Sequence, residues 1–159
     1  MGKTFAQCHD SWEPWLRSEE RDTARAMSEK NVESLRLMYE AFNRRDFDGA
    51  LPYFDPKVEF SPGILPPDQN ADYLGRQGVG EWMRAAAEPW VKVTAEPIER
   101  IEISSDRFLA IDRWLFRGRD GIEIERELPT AFTFRDGLIV RVDGFTDKAE
   151  ALEAAGLSE

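Results

Sequence analysis

The sequence predicts an α+β domain, with helices first and then a curved antiparallel sheet that closes against them as a cone. Three observations predict it. Apolar residues recur at helical spacing in the first half of the chain. From Val91 onward the pattern changes to alternation over four β-rich segments. Two joints between those segments carry Asp-Gly, at Asp120-Gly121 and Asp136-Gly137, a strong signal for tight hairpins. Helices followed by a run of strands pack on one face of the sheet.

Residues 1–28 differ in composition from the rest. Trp12 and Trp15 flank Pro14, and a dense charge run follows. This extension reads either as a weakly ordered arm or as an extra helix docking Trp12, Trp15 and Leu16 on the domain or on a partner chain. The domain proper is expected over 29–159. Its first helix runs from about Asn31 to Asn43, with Val32, Leu35, Met38, Tyr39 and Phe42 on one face and Asn31 as cap. Asp46 or Asp48 caps a short second helix carrying Phe47, Leu51 and Phe54. Pro52 is tolerated only in its first turns, because it lacks a donor N–H. "KVEFSPG" reads as a strand cut by Pro62, followed by a long loop. A third helix covers about Val79 to Glu88, with Val79, Trp82, Met83 and Ala86 on one face. Four β-rich segments follow, and a last helix begins at Asp147 and stops at Gly156.

Composition narrows the function. The 159 residues suffice for one domain, and a chain of roughly 150 residues buries about 70% of its unfolded surface. The formal net charge of -10 argues against nucleic acid and against an anionic membrane surface. No apolar run approaches the roughly 20 residues of a membrane span. The N-terminus lacks a secretory apolar core, so a cytoplasmic protein is expected. Cys8 is the single cysteine and His9 the single histidine, which disfavours disulfides, histidine-based nucleophilic triads and zinc sites. Phosphate-binding glycine loops are missing, and no cofactor or metal is expected.

The segments "NVESLRLMYEAFNRRDFDGALPYFDPKVEF", "YLGRQGVGEWM" and "LPTAFTFRDGLIVRVDGFTDKAEALEAAGL" carry a family resemblance. Their order, with the A-F-N-x-x-D helix joint, the G-x-x-G-V helix entry and the F-R-D-G-L-I hairpin, resembles the SnoaL-like branch of the nuclear transport factor 2-like superfamily. The resemblance covers about Glu29 to Leu157. It implies the cone fold, a hydrophobic pocket and a homodimer through the sheet. It is far less specific for activity, because the fold hosts isomerases, cyclases, epoxide hydrolases, dehydratases and binders. Compared with ketosteroid isomerases, Met38 stands at the tyrosine position with Tyr39 one residue off, Phe60 at the base, and Thr130 near the second acid. Compared with limonene-type epoxide hydrolases, Arg113 is kept, Leu115 stands at one acid, and Gly144 at the other with Asp143 adjacent.

Strand alternation assigns faces independently of any family. In "FLAIDRWLFRGR", Leu109, Ile111, Arg113 and Leu115 share one face, and Phe108, Ala110, Asp112, Trp114 and Phe116 the other. A two-residue turn at Asp120-Gly121 sets Arg113 opposite Leu128. The face of Arg113 then continues into Thr130 and Phe132 and is expected to line the cone. Asp112 then lies outside, and Trp114 and Phe116 form an aromatic patch for a dimer interface. At Asp136-Gly137 the same construction turns Asp143 inward, whereas a one-residue bulge turns Val142 and Gly144 inward instead. Two readings of function follow. In the first, Arg113 and Asp143 are catalytic in a cofactor-independent isomerisation, cyclisation or hydration of a small apolar, polyketide- or terpenoid-like molecule. Tyr39, Phe60, Trp82, Leu115, Thr130 and Phe132 then contact the ligand, with Trp90 a further wall. In the second, the Arg113–Asp143 pair is structural and the protein is a non-catalytic small-ligand binder or dimeric interaction module.

Overall fold

A computed structural model describes residues 18–63 and 72–157, with 18–28 as backbone. Trp12, Trp15, Leu16, Cys8 and His9 therefore lie outside the described residues. Helix α1 (Ser18–Asn43) begins well before Asn31 and is continuous across residues 28 and 29. Its buried face is the expected helical stripe, Leu35, Met38, Tyr39 and Phe42, with Asn31 also buried. The chain leaves α1 through Arg45, which takes a left-handed conformation (φ 63°). The Arg45 and Asp46 amides there satisfy carbonyls of the last turn. Asp46, not Asp48, caps α2 (Phe47–Ala50), its carboxylate accepting from the Gly49 amide at 3.0 Å. A 3-10 turn over Leu51–Tyr53 takes Pro52 in its first positions.

Strand β1 (Phe54–Ser61) ends before Pro62, and a two-residue strand β2 (Tyr73–Leu74) pairs with it. Helix α3 (Gly75–Ala87) starts four residues ahead of Val79 and buries Val79, Trp82 and Met83 as expected. Four long strands follow: β3 (Lys92–Ser104), β4 (Arg107–Arg117), β5 (Glu123–Arg135) and β6 (Leu138–Gly144). The last helix, α4 (Lys148–Ala154), is capped by Asp147. The sheet order is β2-β1-β6-β5-β4-β3. All neighbours are antiparallel except β1 and β6, so the curved sheet is mixed rather than wholly antiparallel. Among the described residues no helix is long and apolar enough to cross a membrane.

Two cores flank the sheet. The larger lies between its inner face and α1 and α3, centred on Phe42, Phe60, Trp82, Trp114 and Phe132. The smaller lies on the opposite face, where Ala151 and Leu152 of α4 cover Leu109, Ile111 and Ala131. The helices therefore do not all pack on one side.

The β4–β5 joint corrects the expected faces. Arg117 pairs with Glu123, which leaves a five-residue loop, residues 118–122, in place of a two-residue turn. Gly118 and Ile122 close that loop, the Asp120 carboxylate accepts from the Ile122 amide at 3.0 Å, and Gly121 takes φ 86°. The register shifts by one residue, so Asp112 lies opposite Leu128 and Arg113 opposite Glu127. A one-residue slip carries every side chain of β4 to the other face. Phe108, Ala110, Asp112, Trp114 and Phe116 face the helices; Arg113 and Leu115 face outward. The energetics favour this arrangement. Burying a large apolar side chain is worth roughly 1.5–3 kcal/mol, and an outward Arg113 keeps its guanidinium in water. Trp114 and Phe116 are therefore core residues and not a surface patch: Trp114 packs against Phe42 (5.6 Å) and Trp82 (6.4 Å), and Phe116 against Trp90 (5.1 Å).

At the next hairpin Asp136 and Gly137 both take positive φ, 55° and 79°, as a tight primed turn requires. Phe134 pairs with Ile139 and Thr133 with Arg141, so Val140 is the extra residue of a bulge. Of the two orientations the sequence leaves open, the bulged one occurs. Val142 and Gly144 turn inward, and Asp143 turns outward.

Candidate functional site

The inner face of the sheet, α1 and α3 line a mainly apolar, half-open cavity. Tyr39, Phe60, Trp82, Thr130 and Phe132 line it, and so do Asp112 and Trp114. Arg113, Leu115 and Asp143 do not. Arg113 is half exposed on the outer face and pairs with Glu96 (3.4 Å) and Glu125 (3.2 Å). Arg113 and Leu115 border a separate depression together with Glu96 and Glu125. Asp143 pairs with Arg141 at 2.9 Å, and Arg141 also reaches Glu59 at 2.7 Å. The expectation that Arg113 and Leu115 face the cone, and that Arg113 meets Asp143 there, is thus corrected. Trp90 packs at a tilt against Phe116 and is not among the residues lining the cavity.

Asp112 is the residue the sequence reading put on the wrong side. It is 1% exposed. The Tyr39 hydroxyl donates to its Oδ2 at 2.6 Å. Its Oδ1 has no hydrogen-bond partner among the described residues. Burial pushes the Asp112 carboxyl up to about 7, against the opposing pull of the Tyr39 hydrogen bond and the Thr130 hydroxyl. The Tyr39 hydroxyl is itself pushed well above its ordinary value, by burial first and then by the adjacent Asp112 charge and hydrogen bond. It therefore stays protonated and serves as a fixed donor to Oδ2. The remaining oxygen, Oδ1, is buried and has no hydrogen-bond partner among the described residues.

The wall around this carboxyl is aromatic. Phe60 and Trp82 lie 4.9 Å apart, Trp82 and Trp114 6.4 Å, Trp114 and Phe42 5.6 Å, and Tyr39 and Phe132 6.1 Å, all between ring centroids. Asn43, at the end of α1, holds β3 in place. Its Nδ2 donates to the Ala95 carbonyl at 2.8 Å and its Oδ1 accepts from the Ala95 amide at 2.9 Å. Ala95 is a small residue on the cavity wall, so this two-bond clamp sets the position of that wall. No group of three or more His, Cys, Asp or Glu side chains that could hold a metal occurs among the described residues.

The fold is thus an α+β cone whose inner cavity is mainly apolar and has one buried carboxyl, Asp112, on its wall. Residues 35–142, more than half of the chain, match the SnoaL-like domain, and the chain belongs to that family. No curated protein matches the sequence. Among solved structures it is similar to TerC co-crystallised with polyporic acid, at 23% identity and a TM-score of 0.64, over 80% of this chain and 98% of that one. It is similar to an NTF2-like protein of unknown function from Burkholderia pseudomallei, at 25% identity and a TM-score of 0.65, over 78% and 95%. It is also similar to a Mycobacterium tuberculosis protein in complex with estradiol-17beta-hemisuccinate, at 15% identity and a TM-score of 0.63, over 74% and 94%.

Proposed function

We propose that this protein binds a small, mainly apolar molecule inside the cone and exchanges a proton with it through Asp112. The observation that carries the reading is the buried, unpartnered Oδ1 of Asp112 on the wall of an aromatic cavity. A buried polar atom without a partner is costly, and a ligand atom placed against Oδ1 removes that cost. A carboxyl whose pKa is raised to about 7 exists in both forms near neutral pH, as a general acid or base requires. Tyr39 fixes its orientation, and Thr130 offers a second hydroxyl. Proton removal at one ligand atom and return at another would support isomerisation or cyclisation, and proton removal from a water that adds to the ligand would support hydration. Asp112 takes the part that the sequence reading gave to Arg113 and Asp143. Two of the similar proteins, TerC and the Mycobacterium tuberculosis protein, hold polyporic acid and an estradiol derivative respectively. A pocket for a multi-ring apolar molecule fits the same fold.

Binding without turnover is the second reading. It is favoured by the fact that, among the described residues, Asp112 and Tyr39 are the only ionisable side chains on the cavity wall. Calorimetric titration with estradiol as probe tests the shared core of both. The native chain should take it up, and Ala95→Phe, which fills the cavity, should abolish uptake. Equal binding by native and filled proteins would overturn the pocket assignment.

A further inference from the structure

The polar atoms around the cavity set the chemistry of its occupant. The described wall carries the Tyr39 hydroxyl, the Asp112 carboxyl and the Thr130 hydroxyl, and no Lys, Arg or His. The Tyr39 proton is already committed to Oδ2 of Asp112. The other oxygen of that carboxyl, Oδ1, is a buried acceptor with no hydrogen-bond partner among the described residues. A ligand whose polar end only accepts hydrogen bonds leaves Oδ1 unsatisfied whenever Asp112 is ionised. A ligand that donates satisfies it.

The rings narrow the choice further. From Phe60 to Trp82, Trp82 to Trp114 and Trp114 to Phe42, successive rings turn by 58°, 89° and 77°. They form a curved aromatic wall beside the carboxyl, not a flat stack. Ring faces carry negative charge density and attract cations, most strongly where water is excluded. The carboxyl, the rings and the net charge of -10 all favour a positive group and oppose an anion.

We infer that the occupant of this cavity is a ring-bearing amine in its protonated form, its ammonium N–H donated to Asp112 Oδ1 and its hydrocarbon frame against Trp82, Trp114 and Phe132. This rests on the pocket reading above and narrows it to one ligand class. If the amine arrives as the cation and Asp112 is protonated, the carboxyl proton leaves to solvent as the ion pair forms. If the amine arrives neutral, that proton passes from the carboxyl oxygen to the amine nitrogen. Asp112 is the acid that titrates here. Among the described residues, the titratable group of α1 on the cavity wall is Tyr39, β5 contributes Thr130, and α3 contributes Trp82 and Met83 to the same wall.

The test uses one ring frame with three polar ends: 2-aminotetralin, 2-tetralone and tetralin-2-carboxylate, titrated calorimetrically into the full chain at pH 8. The amine should bind at least about tenfold more tightly than the ketone, the size expected of a desolvated cation on aromatic and carboxylate groups. The carboxylate should not bind. Asp112→Asn should remove that preference. A readout on the native protein needs no variant. At pH 6, titration in two buffers of different ionisation enthalpy should show nearly one proton released per amine bound and none per ketone. Ketone binding as tight as amine binding, or amine binding without proton release, would overturn the inference and leave the pocket reading standing. If no probe binds and Ala95→Phe changes nothing, both fail.

Discussion

The Tyr39 hydroxyl on α1 donates to Oδ2 of Asp112 on β4 at 2.6 Å, joining helix and sheet inside an otherwise apolar core. Tyr39→Phe deletes that donor and leaves a second carboxylate oxygen unpartnered. Losing one partner of a buried charged hydrogen bond costs about 1.5–3 kcal/mol. The loss should be seen at pH 8, where Asp112 is mostly ionised, and should shrink at pH 5. The Asp112 pKa should rise further. Urea unfolding at the two pH values measures this, and an equal loss at both would contradict it.

Asp112 makes stability depend on pH in a defined direction. Its folded pKa of about 7 lies above the ordinary value of 3.8, so the folded state holds a proton that the unfolded state has released. The penalty is absent below about 3.8, grows as pH rises toward 7, and is complete above it. At 1.36 kcal/mol per pKa unit the full penalty is on the order of 4 kcal/mol. Asp112→Asn should therefore be a few kcal/mol more stable than the native protein at pH 8 and show no such gain at pH 4. A parallel pair of stability curves would show that Asp112 is not buried as described.

Arg113 and Asp143 should be tolerant of change. Their partners are surface carboxylates and a half-exposed arginine, and such pairs contribute roughly 0–1 kcal/mol. Arg113→Leu and Asp143→Asn should each unfold within about 1 kcal/mol of the native protein. Binding of cavity probes should be unchanged. Loss of binding on either replacement would return that residue to the site.

Trp114 separates a core role from an interface role. Trp114→Ala should cost about 3–5 kcal/mol as a large-to-small core replacement. At protein concentrations where the variant stays folded, sedimentation should give the same molecular mass as the native chain. A change in mass without loss of stability would place Trp114 at a subunit contact.

Much of the fold was legible because the signals were local. The stripe from Leu35 to Phe42, the Asp46 and Asp147 caps and the Asp136-Gly137 turn each depend on a few neighbouring residues. Tyr39, Phe60, Trp82, Thr130 and Phe132 were placed inward because their own helix or strand pattern settles their face. The faces of β4 were not legible, because they depend on the length of the loop after Arg117. Asp120-Gly121 fits a two-residue turn, yet the Asp120 side chain and the Gly118–Ile122 closure make a five-residue loop. That single residue exchanges Asp112 for Arg113 at the cavity. One signal was available: Phe108, Trp114 and Phe116 form the heavier apolar set on the strand, and weighing the two faces by size points to them. The Asn43 clamp on Ala95 joins residues 52 apart in sequence, and no local pattern announces it.

The central claim is that Asp112 presents a buried carboxyl to an apolar cavity. Its own titration tests that most directly. The carboxyl carbon resonance, identified by its loss in Asp112→Asn, should titrate near pH 7 in the free protein and shift when an occupant binds. A resonance that titrates near the ordinary aspartate value of about 3.9 and ignores every cavity probe would contradict the account.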